Sequence, residues 1–194
     1  MQTFLPYADF KKSAKCLDYR RLGKQRVEAK QIINLLEKYD NGVDISKLAW
    51  GNHPAVRMWI GYTFRLKLYY NIILNEWIKR GYKNNMELYE FNDFDYREAK
   101  VDYPDWLGRK DFHDAHKSKL LLKGEVDALV DNISYEYGKS YKYWYKDKKL
   151  PNSKSSITYG MLPILKKLNK GLAYNNHYSK FKWNVPLDLE YKWG

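Results

Sequence analysis

Apolar residues recur at helical spacing along much of this 194-residue chain. Residues 8–17 predict a short helix capped by Asp9, and residues 19–38 predict a longer one that ends at Asn41 and Gly42. The apolar stripe of the second helix consists of Leu22, Ala29, Ile32, Ile33 and Leu36. The chain is therefore expected to begin with two helices.

The clearest helical period covers residues 54–80, which predict one continuous helix. Asn52 or His53 can cap it, Pro54 suits its first turn, and Gly81 suits its end. The apolar positions expected on its buried face are Val56, Trp59, Ile60, Phe64, Leu68, Ile72 and Trp77.

The pattern weakens further along the chain. Residues 82–105 predict a loop in which 88–91 could form a short strand. Residues 109–131 predict another helix, broken at Gly124, because glycine is a poor helix former. Residues 134–154 carry no clean period and predict a basic loop.

Near the end, residues 156–169 predict an amphipathic helix, and residues 180–194 predict an extended tail packed on the body. The whole predicts a mainly α protein, a compact single-domain helical bundle with long loops and at most a short β element. Within it we expect a helical domain over residues 1–133 and a Tyr- and Lys-rich extension over residues 134–194.

Charge adds a partner class to this picture. The chain has 35 Lys and Arg against 23 Asp and Glu, a formal net charge of +12. A basic protein attracts polyanions, because neutralising phosphates releases condensed counterions. The single cysteine, Cys16, excludes an internal disulfide framework, and no apolar run suits a signal peptide or a membrane span. We therefore expect an intracellular monomer with no membrane partner.

Much of the charge lies between positions 20 and 28. Arg20, Arg21 and Lys24 cluster on a helix surface, whereas Arg26 falls on the apolar stripe. A guanidinium there is desolvated unless a carboxylate or phosphate meets it. The alternative is a solvated face with an ion pair between Lys24 and Glu28, and on charges alone that alternative is favoured.

Histidines and lysines offer further candidates. His53, at a helix start, could donate to a phosphate or shuttle a proton, or could simply cap the helix. His113 and His116 share a helix face but lack a third ligand, so no metal site is expected. Lys119 and Lys123 lie four residues apart, where like charges repel, which indicates an anion partner or a solvated lysine face. No phosphate-cradling glycine motif is present, and no cofactor is expected.

Five blocks of the chain carry a family resemblance: residues 3–7, 17–28, 52–59, 76–82, and 106–108 with His113, His116 and Lys117. They resemble the pyrimidine-dimer DNA glycosylase/AP lyase family of the phage endonuclease V type, and most closely its little-studied bacterial and phage branch. Order and spacing agree over about residues 1–130, and residues 191–193 resemble the ending of that branch. Residues 134–180 have no counterpart.

The resemblance implies an enzyme that excises a damaged or modified pyrimidine from double-stranded DNA. In that family the α-amino group attacks C1′, a Schiff base forms, and elimination cleaves the strand. An α-amine suits this role because its usual pKa lies near neutrality. Carried over, the nucleophile is the amine of Met1, and the phosphates are held by Arg20, Arg26, Lys119 and Lys123.

Two positions depart from the family pattern. Arg21 stands where the family has its glutamate, so Glu28 becomes the candidate carboxylate and Asp18 the second choice. Gln2 is large, so Met1 is expected to be retained. The candidate catalytic set is Met1, Glu28, Asp18 and His53, and the candidate DNA-binding set is Arg20, Arg21, Lys24, Arg26, His116, Lys119 and Lys123. A non-catalytic nucleic-acid-binding protein on the same scaffold, or a glycosylase for another modified base, stays open.

Overall fold

The computed structural model describes residues 1–92 and 103–137, together with positions 183, 185 and 189–193; beyond residue 124 of the last helix only the backbone is described. This part is helical and contains no strand, which confirms the predicted mainly α fold. Its helices are α1 (Phe10–Cys16), α2 (Tyr19–Asp40), α3 (Pro54–Arg57), α4 (Thr63–Lys79) and α5 (Lys110–Tyr137), with a 3-10 turn at Ile45–Lys47.

The first two helices begin where the sequence predicts. The Asp9 side chain accepts a hydrogen bond from the Lys12 N–H at the start of α1. Asp18 does the same for the Arg21 N–H at the start of α2. Such caps satisfy backbone donors that have no partner inside the helix. Gly42, at φ 81°, follows the end of α2, as predicted.

The predicted single helix over residues 54–80 is wrong, because the chain forms two helices there. It turns after Arg57 and resumes at Thr63. Gly61 lies between them at φ 81°, a left-handed conformation that a right-handed helix does not contain. The predicted ends are confirmed: His53 caps α3, and Gly81, at φ 79°, follows α4.

Residues 88–91 do not form the strand that their composition allowed. The Asn71 side chain on α4 accepts from the Tyr89 N–H at 2.9 Å and donates to the Tyr89 carbonyl at 2.7 Å. A side-chain amide thus replaces a neighbouring strand as the partner of this backbone. The segment is an irregular chain fixed on α4.

Helix α5 passes through Gly124 without a break and ends at Tyr137, so the predicted break and the predicted loop over 134–137 are wrong. One helical glycine costs about 1 kcal/mol, which a 28-residue helix tolerates. Residues 138–154, the predicted helix over 156–169 and most of the predicted tail lie outside the described residues.

Contacts divide the chain into two compact units, Met1–His113 with Lys192–Gly194, and Asp114–Tyr191. In the first, α2 and α1 both pack against α4, and α2 also contacts α3. In the second, Leu120, Leu121 and Leu122 are buried, and Ser118 accepts from the Leu189 N–H. The predicted division after residue 133 stays a prediction. None of the described helices combines the length and the apolar composition that a membrane span requires.

Candidate active site

Close to the start of the chain, Thr3, Phe4 and Leu5 are buried, whereas Met1 and Gln2 are half-buried. Trp59 Nε1 donates to Thr3 Oγ1 at 3.1 Å, and the Tyr69 hydroxyl donates to the Phe4 carbonyl at 3.0 Å. These bonds come from the turn after α3 and from α4. The first residues are therefore fixed by side chains from distant parts of the sequence.

His113, near the start of α5, fixes Leu5, the residue that follows Phe4. Its Nε2 accepts from the Gly108 N–H at 2.9 Å, so Nδ1 carries the proton and donates to the Leu5 carbonyl at 2.7 Å. A buried histidine bonded at both nitrogens is a structural group. This contact spans 108 residues of sequence.

Gln25 of α2 connects the start of the chain to the candidate site. Its Oε1 accepts from the Phe4 N–H at 2.7 Å, and it lies 2.8 Å from the Tyr69 hydroxyl, whose single proton it shares with the Phe4 carbonyl. Its Nε2 donates to the Gln2 carbonyl at 2.8 Å and to Glu28 Oε2 at 3.3 Å. One buried amide thus positions both the N-terminal backbone and the carboxylate.

The N-terminal amine lies beside that carboxylate, 4.0 Å from Glu28 Oε1. The side chains of Met1 and Glu28 are only 6% and 11% exposed. Lys24 approaches the same oxygen, with Nζ at 3.5 Å, and its side chain is 71% exposed. The carboxylate is therefore shared between the N-terminal amine and a solvated lysine.

His53 is the third group near the amine. The Ala55 N–H donates to its Nδ1 at 3.0 Å, which leaves Nε2 as the protonated nitrogen of the neutral ring. Burial, together with the positive charge of the amine, lowers the pKa of His53. Trp50 and Trp193 each pack against its ring at a centroid distance of 5.5 Å. Neutral His53 is therefore a hydrogen-bond donor at Nε2.

Trp50, 59% exposed, stands at this site in a strained conformation. Its φ is 70°, which for a non-glycine residue costs about 1–3 kcal/mol. A Cβ on the next residue, Gly51, would lie 1.7 Å from the Ile45 carbonyl oxygen, so only glycine fits there.

The other candidates at the start of α2 have separate contacts. Asp18 caps the helix, and its Oδ2 lies 3.0 Å from Arg21 Nη1. Arg20 Nε donates to the Tyr19 hydroxyl at 2.9 Å. The structure thus joins Met1 and Glu28 directly, and it engages Asp18 with Arg21.

Arg26 lies over the ring of Trp77, with Cζ 4.6 Å from the ring centroid. Its Nε and Nη1 are buried and have no hydrogen-bond partner within the described residues. On the same ring, a Cβ at Gly23 would lie 2.8 Å from Cζ3. A cation–π contact therefore replaces the carboxylate that a buried guanidinium usually requires.

Three candidates belong to the second unit. His116 is buried, and its Nδ1 lies 3.2 Å from the Tyr191 hydroxyl. Burial lowers the pKa of Lys119 to about 8. Lys123 is half-buried one helical turn later. Among the described residues, no three His, Cys, Asp or Glu side chains converge as a metal site would require.

Sequence reasoning missed Gln25, Tyr69 and Trp50, and it considered His113 as a metal ligand rather than as the group that holds Leu5. A signal existed for Gln25: it lies three residues after Leu22 and four before Ala29, so a polar residue interrupts the apolar stripe. The left-handed conformation of Trp50 has no comparable signal in the sequence.

Comparison with known proteins gives one family match. Residues 1–90, which contain Met1, Glu28 and His53, match the family model described as pyrimidine dimer DNA glycosylase. Comparison with curated proteins and with solved structures gives no significant match. The family is one of DNA glycosylases, so the match supports an enzyme that acts on DNA. It also confirms the resemblance found in the sequence: residues 1–90 are similar to the pyrimidine dimer DNA glycosylase family.

Proposed function

We propose that this protein is a DNA glycosylase and AP lyase that excises a damaged or modified pyrimidine from double-stranded DNA through its N-terminal amine. One observation carries the proposal: the amine lies 4.0 Å from Glu28 Oε1, with both side chains nearly withdrawn from solvent. An amine beside a carboxylate brings together a nucleophile and a proton acceptor.

The protons of the proposed reaction balance. Glu28 accepts one proton from the ammonium group, and the neutral nitrogen forms a bond to C1′ as the glycosidic bond breaks toward the base. The base takes that proton. A second proton passes from nitrogen to O4′ as the C1′–O4′ bond opens, which leaves a protonated Schiff base. Loss of a C2′ proton then expels the 3′ phosphate, and water releases the amine.

Glu28 suits the proton transfers better than Asp18. Asp18 is engaged in the cap of α2 and in the ion pair with Arg21. Glu28 faces the amine and is fixed by Gln25. His53, a donor at Nε2, suits the sugar oxygen or an adjacent phosphate better than it suits a base role.

The proposed DNA-binding residues include an exposed lysine and an arginine with buried N–H groups. Lys24 is solvated and can exchange Glu28 for a phosphate without leaving a buried charge unpaired. Arg26 has buried N–H groups that an oxyanion would satisfy. Arg20, Arg21, His116, Lys119 and Lys123 complete the proposed set. A monomer inside the cell, associated with the nucleoid or with viral DNA, fits this substrate.

The test is covalent trapping. Incubation with duplex DNA carrying an ultraviolet-induced lesion, followed by borohydride, should reduce the Schiff base to a stable protein–DNA adduct. Acetylation of the N-terminal amine should abolish the adduct. Glu28→Gln should remove strand cleavage but retain DNA binding, whereas Glu90→Gln, at an exposed glutamate, should leave both unchanged. Unchanged cleavage by Glu28→Gln would contradict the assignment.

A specific observation favours a second candidate, a DNA-binding protein without catalysis. Arg21 stands at the family's glutamate position and is paired with Asp18, so the usual carboxylate is absent from that point of the helix. This candidate predicts salt-sensitive DNA binding with no adduct. Arg26→Ala should weaken binding under either candidate, and unchanged binding would show that Arg26 serves only to hold Trp77.

A further inference from the structure

The loop before α3 holds an exposed indole in a strained backbone. Trp50 is 59% exposed and has a φ of 70°. Both features cost free energy, since apolar surface meets water and the left-handed conformation crowds Cβ. Neither is needed to build the core, and strain of this kind concentrates at functional positions.

The loop fixes where the indole stands. Gly51 leaves no room for a side chain against the Ile45 carbonyl. Its N–H donates to the Leu48 carbonyl at 3.0 Å, and Asn52 Nδ2 donates to the Ser46 carbonyl at 2.9 Å. The His53 N–H donates to the carbonyl of Trp50 itself at 2.9 Å. The ring is thus presented on a pre-organised turn, which lowers the entropy cost of a contact with a ligand.

The indole borders the candidate active site. It meets the His53 ring edge-on, with a centroid distance of 5.5 Å and an interplanar angle of 60°. The positive charge of the N-terminal amine also contributes to the lowered pKa of His53. A flat, solvated surface therefore lies next to the groups proposed to act on the sugar.

We propose that Trp50 is a stacking platform for a nucleobase that has lost its pairing partner at the lesion. The inference rests on the proposed function, because attack at C1′ requires DNA to be distorted and a base to leave the helix. A base that leaves the stack exposes its π face, and an indole covers that face regardless of base identity. The chain's formal net charge of +12 favours a polyanionic nucleic acid over an apolar protein surface as the occupant.

The test uses Trp50→Gly, because glycine adopts this φ without strain and the loop should keep its shape. The probe is a duplex with a tetrahydrofuran abasic analogue opposite 2-aminopurine. The analogue has no hemiacetal at C1′, so it cannot form a Schiff base. The wild-type protein should bind this duplex more tightly than an undamaged one and should quench the unpaired 2-aminopurine. Trp50→Gly should bind it roughly 5- to 150-fold more weakly and should leave the fluorophore bright.

Controls separate stacking from folding and from catalysis. Trp50→Phe should stay within about threefold of wild type, because the flat ring is retained. Tyr39→Ala, which removes an exposed aromatic from the last turn of α2, should change nothing. Affinity for undamaged duplex should be equal in all variants. The proposal is overturned if Trp50→Gly binds and quenches as wild type does, if it weakens both duplexes equally, or if the wild type shows no preference. Failure of borohydride trapping would contradict the glycosylase proposal and leave this readout intact.

Discussion

Replacing Gln25 with leucine tests how the amine is positioned. The change keeps the side chain's approximate size but removes every hydrogen bond that the amide makes. The Tyr69 hydroxyl keeps its bond to the Phe4 carbonyl. The Phe4 N–H and the Gln2 carbonyl lose their partners, and Glu28 loses a donor.

The expected cost follows from these losses. An unsatisfied buried backbone group costs about 1–3 kcal/mol. The Phe4 N–H is buried, whereas Gln2 is half-buried and can recover a water. Gln25→Leu should therefore lower the free energy of unfolding by about 2–4 kcal/mol, a large part of the ~5–15 kcal/mol that stabilises a typical domain.

Urea unfolding followed by circular dichroism measures this loss, and borohydride trapping without urea measures the effect on the site. Because Gln25 holds both Gln2 and Glu28, the trapping rate should fall at least tenfold even where the protein is fully folded. Gln31→Leu lies at an exposed position of the same helix. It should change the free energy of unfolding by no more than ~0.5 kcal/mol and should leave the trapping rate unchanged. Wild-type stability or a wild-type trapping rate in Gln25→Leu would refute the role assigned to the amide.

Three further predictions follow from contacts elsewhere in the first unit. Arg80→Met removes hydrogen bonds to three carbonyls at the end of α1 and an ion pair on α4, so urea unfolding should show a loss of about 2 kcal/mol, whereas Lys79→Met should be neutral. Gly23→Ala forces a Cβ against Trp77, and overpacking of about 1–3 kcal/mol should exceed the ~1 kcal/mol gain in helix propensity, giving a lower melting temperature. The lowered pKa of His53 means that the folded state binds fewer protons than the unfolded state, so stability should fall as pH drops below about 6.5 and level off below the folded-state pKa. His53→Gln can still accept the hydrogen bond at the helix cap, so it should flatten that part of the stability–pH profile. An unchanged profile would show that His53 does not cause the loss of stability.

The sequence predicts elements well where a local signal decides them. Asp9 and Asp18 set the starts of α1 and α2 through side-chain bonds within the same turn. Gly61 is different, because a lone glycine inside a helical period is compatible with either a helix or a turn, and the packing of two short segments decides between them.

The candidate site is predictable only in part for the same reason. The family resemblance indicates an N-terminal amine and a nearby glutamate, and the 4.0 Å contact between Met1 and Glu28 is consistent with both. The support for that contact comes from Gln25, Tyr69 and His113, which meet through tertiary packing across up to 108 residues of chain. No periodicity within a helix carries such information.

The buried start of the chain also has a consequence for folding order. Thr3, Phe4 and Leu5 are held by residues that are synthesised later, namely Gln25, Trp59, Tyr69 and His113. They can therefore dock only after those segments have been made and packed. Contacts of such long sequence separation form late, because loop closure must precede them. We therefore expect the amine and Glu28 to meet only in the completed fold, so that nascent or partly folded chains hold both groups without the proposed reactive pair.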